Sequence, residues 1–118
     1  MFREGLQKIV DNVEGGVAGV LMGFDGIAVE TYARIATAFD VQTVGMEFSF
    51  ILTQVRKAAE ILEIGGVREI AIKADQLTII IRVLSDEYFV ALALKPDGNF
   101  GKGRYLLRVV APKMAAEL

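Results

Sequence analysis

The chain contains no cysteine, no histidine and no tryptophan, and only two prolines, Pro96 and Pro112. Without cysteine there is no disulfide framework, no thiolate nucleophile and no thiolate zinc site. Without histidine there is no imidazole for acid–base catalysis or metal ligation. An excess of positive charge is also missing. Lys and Arg number 13 against 15 Asp and Glu, for a net charge of −2, the wrong balance for a partner built of phosphates, so no nucleic-acid partner is expected. No apolar run approaches the ~20 residues of a membrane-spanning helix. Met1-Phe2-Arg3-Glu4-Gly5 has a charge pair and no apolar signal core, which predicts a cytoplasmic protein without membrane insertion. Carboxylate-only chemistry and binding survive these exclusions.

What remains is unusually apolar. Ala, Val, Ile, Leu, Met, Phe and Gly supply 72 of the 118 residues, or 61%, against ~45–50% for ordinary soluble domains on a comparable count. The length reads as one domain, 1–118, long enough to bury a core. A small domain this apolar is expected to hide surface in a partner.

Periodicity predicts the element order αββαβββα. Phe2, Leu6, Ile9, Val10 and Val13 recur at helical spacing and end at Gly15-Gly16. Val17–Gly23 and Ile27–Ala33 read as strands around the turn Phe24-Asp25-Gly26. Asp40 caps a long second helix that reaches about Glu63 and stops at Gly65-Gly66. Val67–Lys73, Gln76–Leu84 and Glu87–Leu94 read as three strands separated by Ala74-Asp75 and Ser85-Asp86. After the turn Pro96-Asp97-Gly98-Asn99, a last helix runs from Phe100–Gly103 toward Leu118, with a kink or broken turn expected near Arg108 because of Pro112. The first, fourth and fifth strands are apolar on nearly every residue, whereas the second and third carry charges. The sheet order 2-1-5-4-3 places every apolar strand inside, and strands covered on both faces need helices on both. The fold class predicted is α+β, a three-layer α/β/α sandwich on a five-stranded antiparallel sheet.

The second helix has two apolar faces. At 100° per residue, Val41, Val44, Phe48, Ile51, Leu52, Val55, Ala59 and Leu62 fall within about 60° of Phe48 and form the expected core stripe. Met46, Phe50 and Ile61 lie about 140–160° away, beside Thr43, Thr53, Gln54 and Lys57, where water is expected. Met46 and Phe50, one turn apart, make a patch suited to protein contact. The strand Val67–Lys73 leaves a row of backbone groups unpaired, and Arg68, Glu69 and Lys73 either blunt that edge or accompany its pairing with a second copy. These surfaces predict a homodimer interface carrying Met46, Phe50, Ile61, Val67, Ile70 and Ile72.

Other motifs have plainer explanations. Gly98-Asn99-Phe100-Gly101-Lys102-Gly103-Arg104 lacks the Walker pattern, since Gly103 follows Lys102, and reads as a glycine-rich helix entry. Asp25, Asp75, Asp86 and Asp97 sit at predicted turns and lack the spacing of a calcium loop. Glu30 has no evident carboxylate partner for acid–base work. Arg34, Arg56 and Arg68 could reach a partner's active site, and none is favoured as catalytic. The expectation is a non-enzyme with no metal and no cofactor.

The element order, the segment Val20-Leu21-Met22-Gly23-Phe24-Asp25-Gly26-Ile27-Ala28-Val29 and the closing Gly101-Lys102-Gly103-Arg104-Tyr105-Leu106-Leu107-Arg108 resemble the Roadblock family, which contains dynein light chains and bacterial gliding-protein B regulators of Ras-like GTPases. The resemblance implies a profilin-like fold, a homodimer joined through the second helix and third strand, and a partner that in bacteria is commonly a small Ras-like GTPase. It implies a GTPase-activating-protein-like role with the second-helix pair as the working surface. On that surface Thr43, Glu47, Phe50, Gln54 and Lys57 follow one another at spacings of three and four. Two alternatives stand beside it: a structural light-chain or adaptor subunit, and a small-molecule sensor of profilin or PAS type, which would need a pocket with convergent polar groups.

Overall fold

The computed structural model describes residues 1–35 and 40–118. Its elements are α1 (Phe2–Asp11), β1 (Gly16–Gly23), β2 (Ala28–Ala33), α2 (Val41–Ile61), β3 (Glu69–Lys73), β4 (Thr78–Val83), β5 (Tyr88–Leu94) and α3 (Phe100–Ala115). All neighbouring strands pair antiparallel in the order β2-β1-β5-β4-β3. Expected element order and sheet order both hold.

The interior strands are those the apolar pattern places there. β1 is buried along its whole length and β5 along all but Tyr88. Helices α1 and α3 cover one sheet face, where Leu6, Ile9, Val10, Leu107, Val110 and Met114 pack on Ile80, Val90, Leu92 and Leu94. Helix α2 covers the other through Leu52, over Val20, Met22, Ile79, Ile81, Phe89 and Ala91. It packs mainly on β1 and β2, so among the described residues no helix is centred over the part of that face formed by β4 and β3.

Two expectations shift. Strand β3 begins at Glu69 rather than Val67. Strand β4 begins at Thr78 rather than Gln76, because Ala74 N–H donates to the Leu77 carbonyl at 2.9 Å and closes the hairpin around Asp75-Gln76. Helix α3 runs through Pro112 without a broken turn. The proline removes the donor that would reach the Arg108 carbonyl, and both residues lie on the exposed side, where water can satisfy that oxygen.

Candidate functional site

Helix α2 starts where the sequence placed its cap. The Asp40 carboxylate accepts from Gln42 N–H at 3.1 Å and satisfies one of the first-turn donors. Its packing face is not the one the hydrophobicity line indicates. The fully buried positions are Gly45, Ser49, Leu52 and Ala59, about 60° round the helix from Phe48. Small residues make that contact. A Cβ on Gly45 would lie 3.0 Å from Met22 Cε and 3.2 Å from Val20 Cγ1, so glycine lets the helix backbone sit close to β1 without displacing those side chains. Ser49, polar but buried, donates its hydroxyl to the Met46 carbonyl at 2.6 Å.

The rotation turns expected core residues outward. Ile51 is 49% exposed and Leu62 66%, with Val55 also exposed, whereas all three were expected in the core stripe. Met46 is exposed beside Gly26 of the β1–β2 turn, Phe50 is 65% exposed and Ile61 80%. Ile64 continues the apolar surface past the helix end. Thr43, Glu47, Gln54 and Lys57 are exposed on the same side of α2 as Phe50. Phe50 and Gln54 also share a shallow, open depression with Phe24, Ile51 and Thr53. The sequence signal for Ile51, Val55 and Leu62 was present, but it read as core.

Strand β3, which follows α2 in the chain, is an edge strand of the sheet. Arg68 accepts from Val83 N–H at 2.9 Å, and Ala74 N–H donates to Leu77. With the register Glu69↔Arg82 to Lys73↔Thr78, these two bonds fix the parity. Ile70 and Ile72 turn their backbone groups to β4, while Glu69, Ala71 and Lys73 turn theirs to the open edge. Val67, Ile70 and Ile72 are half-buried against the α2-side core. The β2 edge is better closed. A bulge interrupts its pairing between Leu21 and Met22, and Arg3 donates to the Thr31 carbonyl at 3.0 Å.

Arg56 is held over the Phe24 ring at 4.0 Å and donates to the Asp86 carbonyl at 3.2 Å, so it is a packing residue in this chain. Arg34 and Arg68 are exposed. At the α3 entry the Asn99 side chain accepts from Lys102 N–H at 3.1 Å, and a Cβ on Gly103 would meet Ile80 and Leu92 at 3.1 Å, so the glycine-rich stretch serves a cap and a close helix–sheet contact. Asp25 accepts from Ile27 N–H at 3.0 Å within its turn. Among the described residues no group of three acidic side chains is gathered to hold a metal ion, and no helix is long and apolar enough to cross a membrane.

Comparison with solved structures agrees with this geometry. The chain is similar to MglC from Myxococcus xanthus, at 46% identity over 99% of this chain and 98% of that one, with a TM-score of 0.72. It superposes on a Roadblock/LC7 domain from Streptomyces avermitilis at 13% identity, covering 98% and 95% of the two chains, with a TM-score of 0.86. The gliding protein MglB from Thermus thermophilus gives 0.84 at 12% identity, over 98% and 88%. A profilin from Acanthamoeba castellanii gives 0.64 at 12% identity, over 99% and 98%. No family model and no curated protein sequence matches.

Proposed function

The chain belongs to the Roadblock/LC7 family that includes the gliding proteins MglB and MglC, and from that premise we propose that it is a non-catalytic homodimeric regulator or scaffold, cytoplasmic, that binds a small Ras-like GTPase and modulates its nucleotide cycle. The observation that carries this reading is the apolar exposed surface of α2 and its exit, in a chain whose next element, β3, is an edge strand. A two-fold axis through that edge joins Glu69, Ala71 and Lys73 to their counterparts, continues the sheet into the partner and sets two α2 helices side by side. Burying side chains such as Ile51 and Leu62 there contributes about 1.5–3 kcal/mol each before the costs of association. Thr43, Glu47, Phe50, Gln54 and Lys57 then form the surface offered to the GTPase.

A regulator shifts a two-state switch only through unequal affinity for its states. The test is a titration of the cognate GTPase, loaded with GDP or a non-hydrolysable GTP analogue, against wild type, Gln54→Arg and Lys57→Glu. The proposal expects affinities that differ by about fivefold or more between the nucleotide states, and weaker binding by both variants with the dimer intact. Equal affinity for the two states makes the protein an adaptor instead, and full binding by the variants moves the contact off this surface.

A further inference from the structure

On the sheet face opposite α2, three arginines converge from β4 and α3. Arg82 is the register partner of Glu69 across β3 and β4. Arg104 grips the Glu69 carboxylate with Nε at 3.0 Å to both oxygens and Nη2 at 2.8 Å to one. Arg108 follows one turn later on α3. The Arg104 hydrogen bonds hold the Glu69 carboxyl below its ordinary range, and the charges of Arg104, Arg82 and Arg108 act in the same direction. All three cations therefore face one spot, and that spot contains a single acid already engaged by Arg104. Among the described residues neither Arg82 nor Arg108 forms a salt bridge. Residues 36–39, outside the description, carry no charge.

Arg82 and Arg108 stand on the ridge between two depressions. One, of about 130 Å³, is the arginine site itself, with exposed Tyr105 at its rim and the Arg108 guanidinium 5.8 Å from the Tyr105 ring centre. The other, of about 260 Å³, is lined between those arginines by Val83, Leu84, Ala111, Pro112 and Ala115. We propose that this face docks an acidic, amphipathic protein segment, with carboxylates on Arg82 and Arg108 and an apolar side chain in the adjoining depression. Arginine matches a carboxylate with a planar fork, as Arg104 already does with Glu69. Arginine and tyrosine are the residues that anchor protein interfaces. A free phosphate has no use for the apolar depression, and a polyanion gains little from a protein of net charge −2. The site lies away from α2, so this segment and a partner on the α2 surface can be bound at once. The proposal stands whether or not that partner is a GTPase.

The test uses the full chain and a fluorescein-labelled amphipathic peptide rich in Glu and Leu, read by fluorescence anisotropy. Wild type is expected to bind it at low salt and to weaken as salt rises. Arg108→Glu, at an exposed position, should bind about tenfold more weakly, and Arg82→Gln combined with it more weakly still, with circular dichroism unchanged. The same peptide with Lys for Glu should not bind, and Phe50→Ala should leave binding of the acidic peptide unaltered. Absence of binding at low salt, or undiminished binding by Arg108→Glu, overturns the proposal. So does displacement of the peptide by equimolar inorganic phosphate, which would mark a simple anion site, or capture by phosphatidylserine vesicles in place of the peptide, which would mark a membrane surface.

Discussion

The two faces of the sheet are covered unequally. Two helices, α1 and α3, close one face around a core in which Leu6, Val10 and Leu107 are fully buried. On the other face α2 is alone, packs mainly on β1 and β2, and leaves Ile70 and Ile72 of β3 half-buried. Among the described residues, seven of the thirteen exposed large hydrophobic side chains lie on α2 and its exit: Met46, Phe50, Ile51, Val55, Ile61, Leu62 and Ile64. A folded monomer can carry scattered exposed apolar residues, and it is their concentration on one element that the proposed dimer would cover. The difference separates the side that makes the fold from the side proposed to make the association.

Substitutions on the two faces should therefore fail in different ways. Leu107→Ala on the closed face leaves a cavity in a fully buried site and is expected to cost about 2–5 kcal/mol of folding stability, read by urea denaturation. Ile51→Asp on α2 should leave the secondary structure in place and abolish self-association, read by sedimentation. A large loss of monomer stability from Ile51→Asp would return that residue to the core and remove the contrast.

The β3 edge sharpens the same contrast within a single strand. Ala71→Pro removes an N–H directed at the open edge, a change that edge strands tolerate, so the fold should persist while the dimer weakens by tenfold or more. Ile70→Pro removes an N–H directed at β4 and should disrupt the sheet itself. Equal damage to the fold from both would contradict the N–H directions assigned along β3, and an unweakened dimer for Ala71→Pro would show that the edge takes no part in association.

How far this was legible in the sequence differs by element. Nearly continuous apolar runs in β1, β4 (where Arg82 is the one charge) and β5, charges in β2 and β3, and the short hairpin connections are enough to order the sheet, because strands covered on both sides must be mostly apolar. On α2 the hydrophobicity line finds the buried Leu52 and Ala59 but sits off the packing face, because Gly45 and Ser49, which it undervalues, make close contact there through their small size. The same line places Ile51, Val55 and Leu62 in the core, where the structure exposes them. Met46, Phe50 and Ile61 were visible because they stand nearly opposite any core. The direction of each N–H along β3 and the meeting of Arg82 with Arg104 and Arg108 depend on register and on the seating of α3, which no local pattern encodes.

The smallest expected effect belongs to the closed face's outer latch. Glu69 is held below its ordinary value by Arg104, so its ionised form is favoured by folding. That contribution is fully present above the ordinary glutamate value of 4.5 and fades as pH falls through the lowered one. Glu69→Gln should therefore lower the melting temperature modestly at neutral pH, and its difference from wild type should close in acid. A constant difference across pH would mean that packing, not the ion pair, sets the effect.

The most direct measurement of the central claim is the mass of the wild-type chain in solution by sedimentation equilibrium at micromolar concentration. An apolar α2 surface closed by a second copy predicts twice the 12.8 kDa chain mass, falling to the single mass for Ile51→Asp and Ala71→Pro. A wild-type chain that sediments at 12.8 kDa would contradict the account.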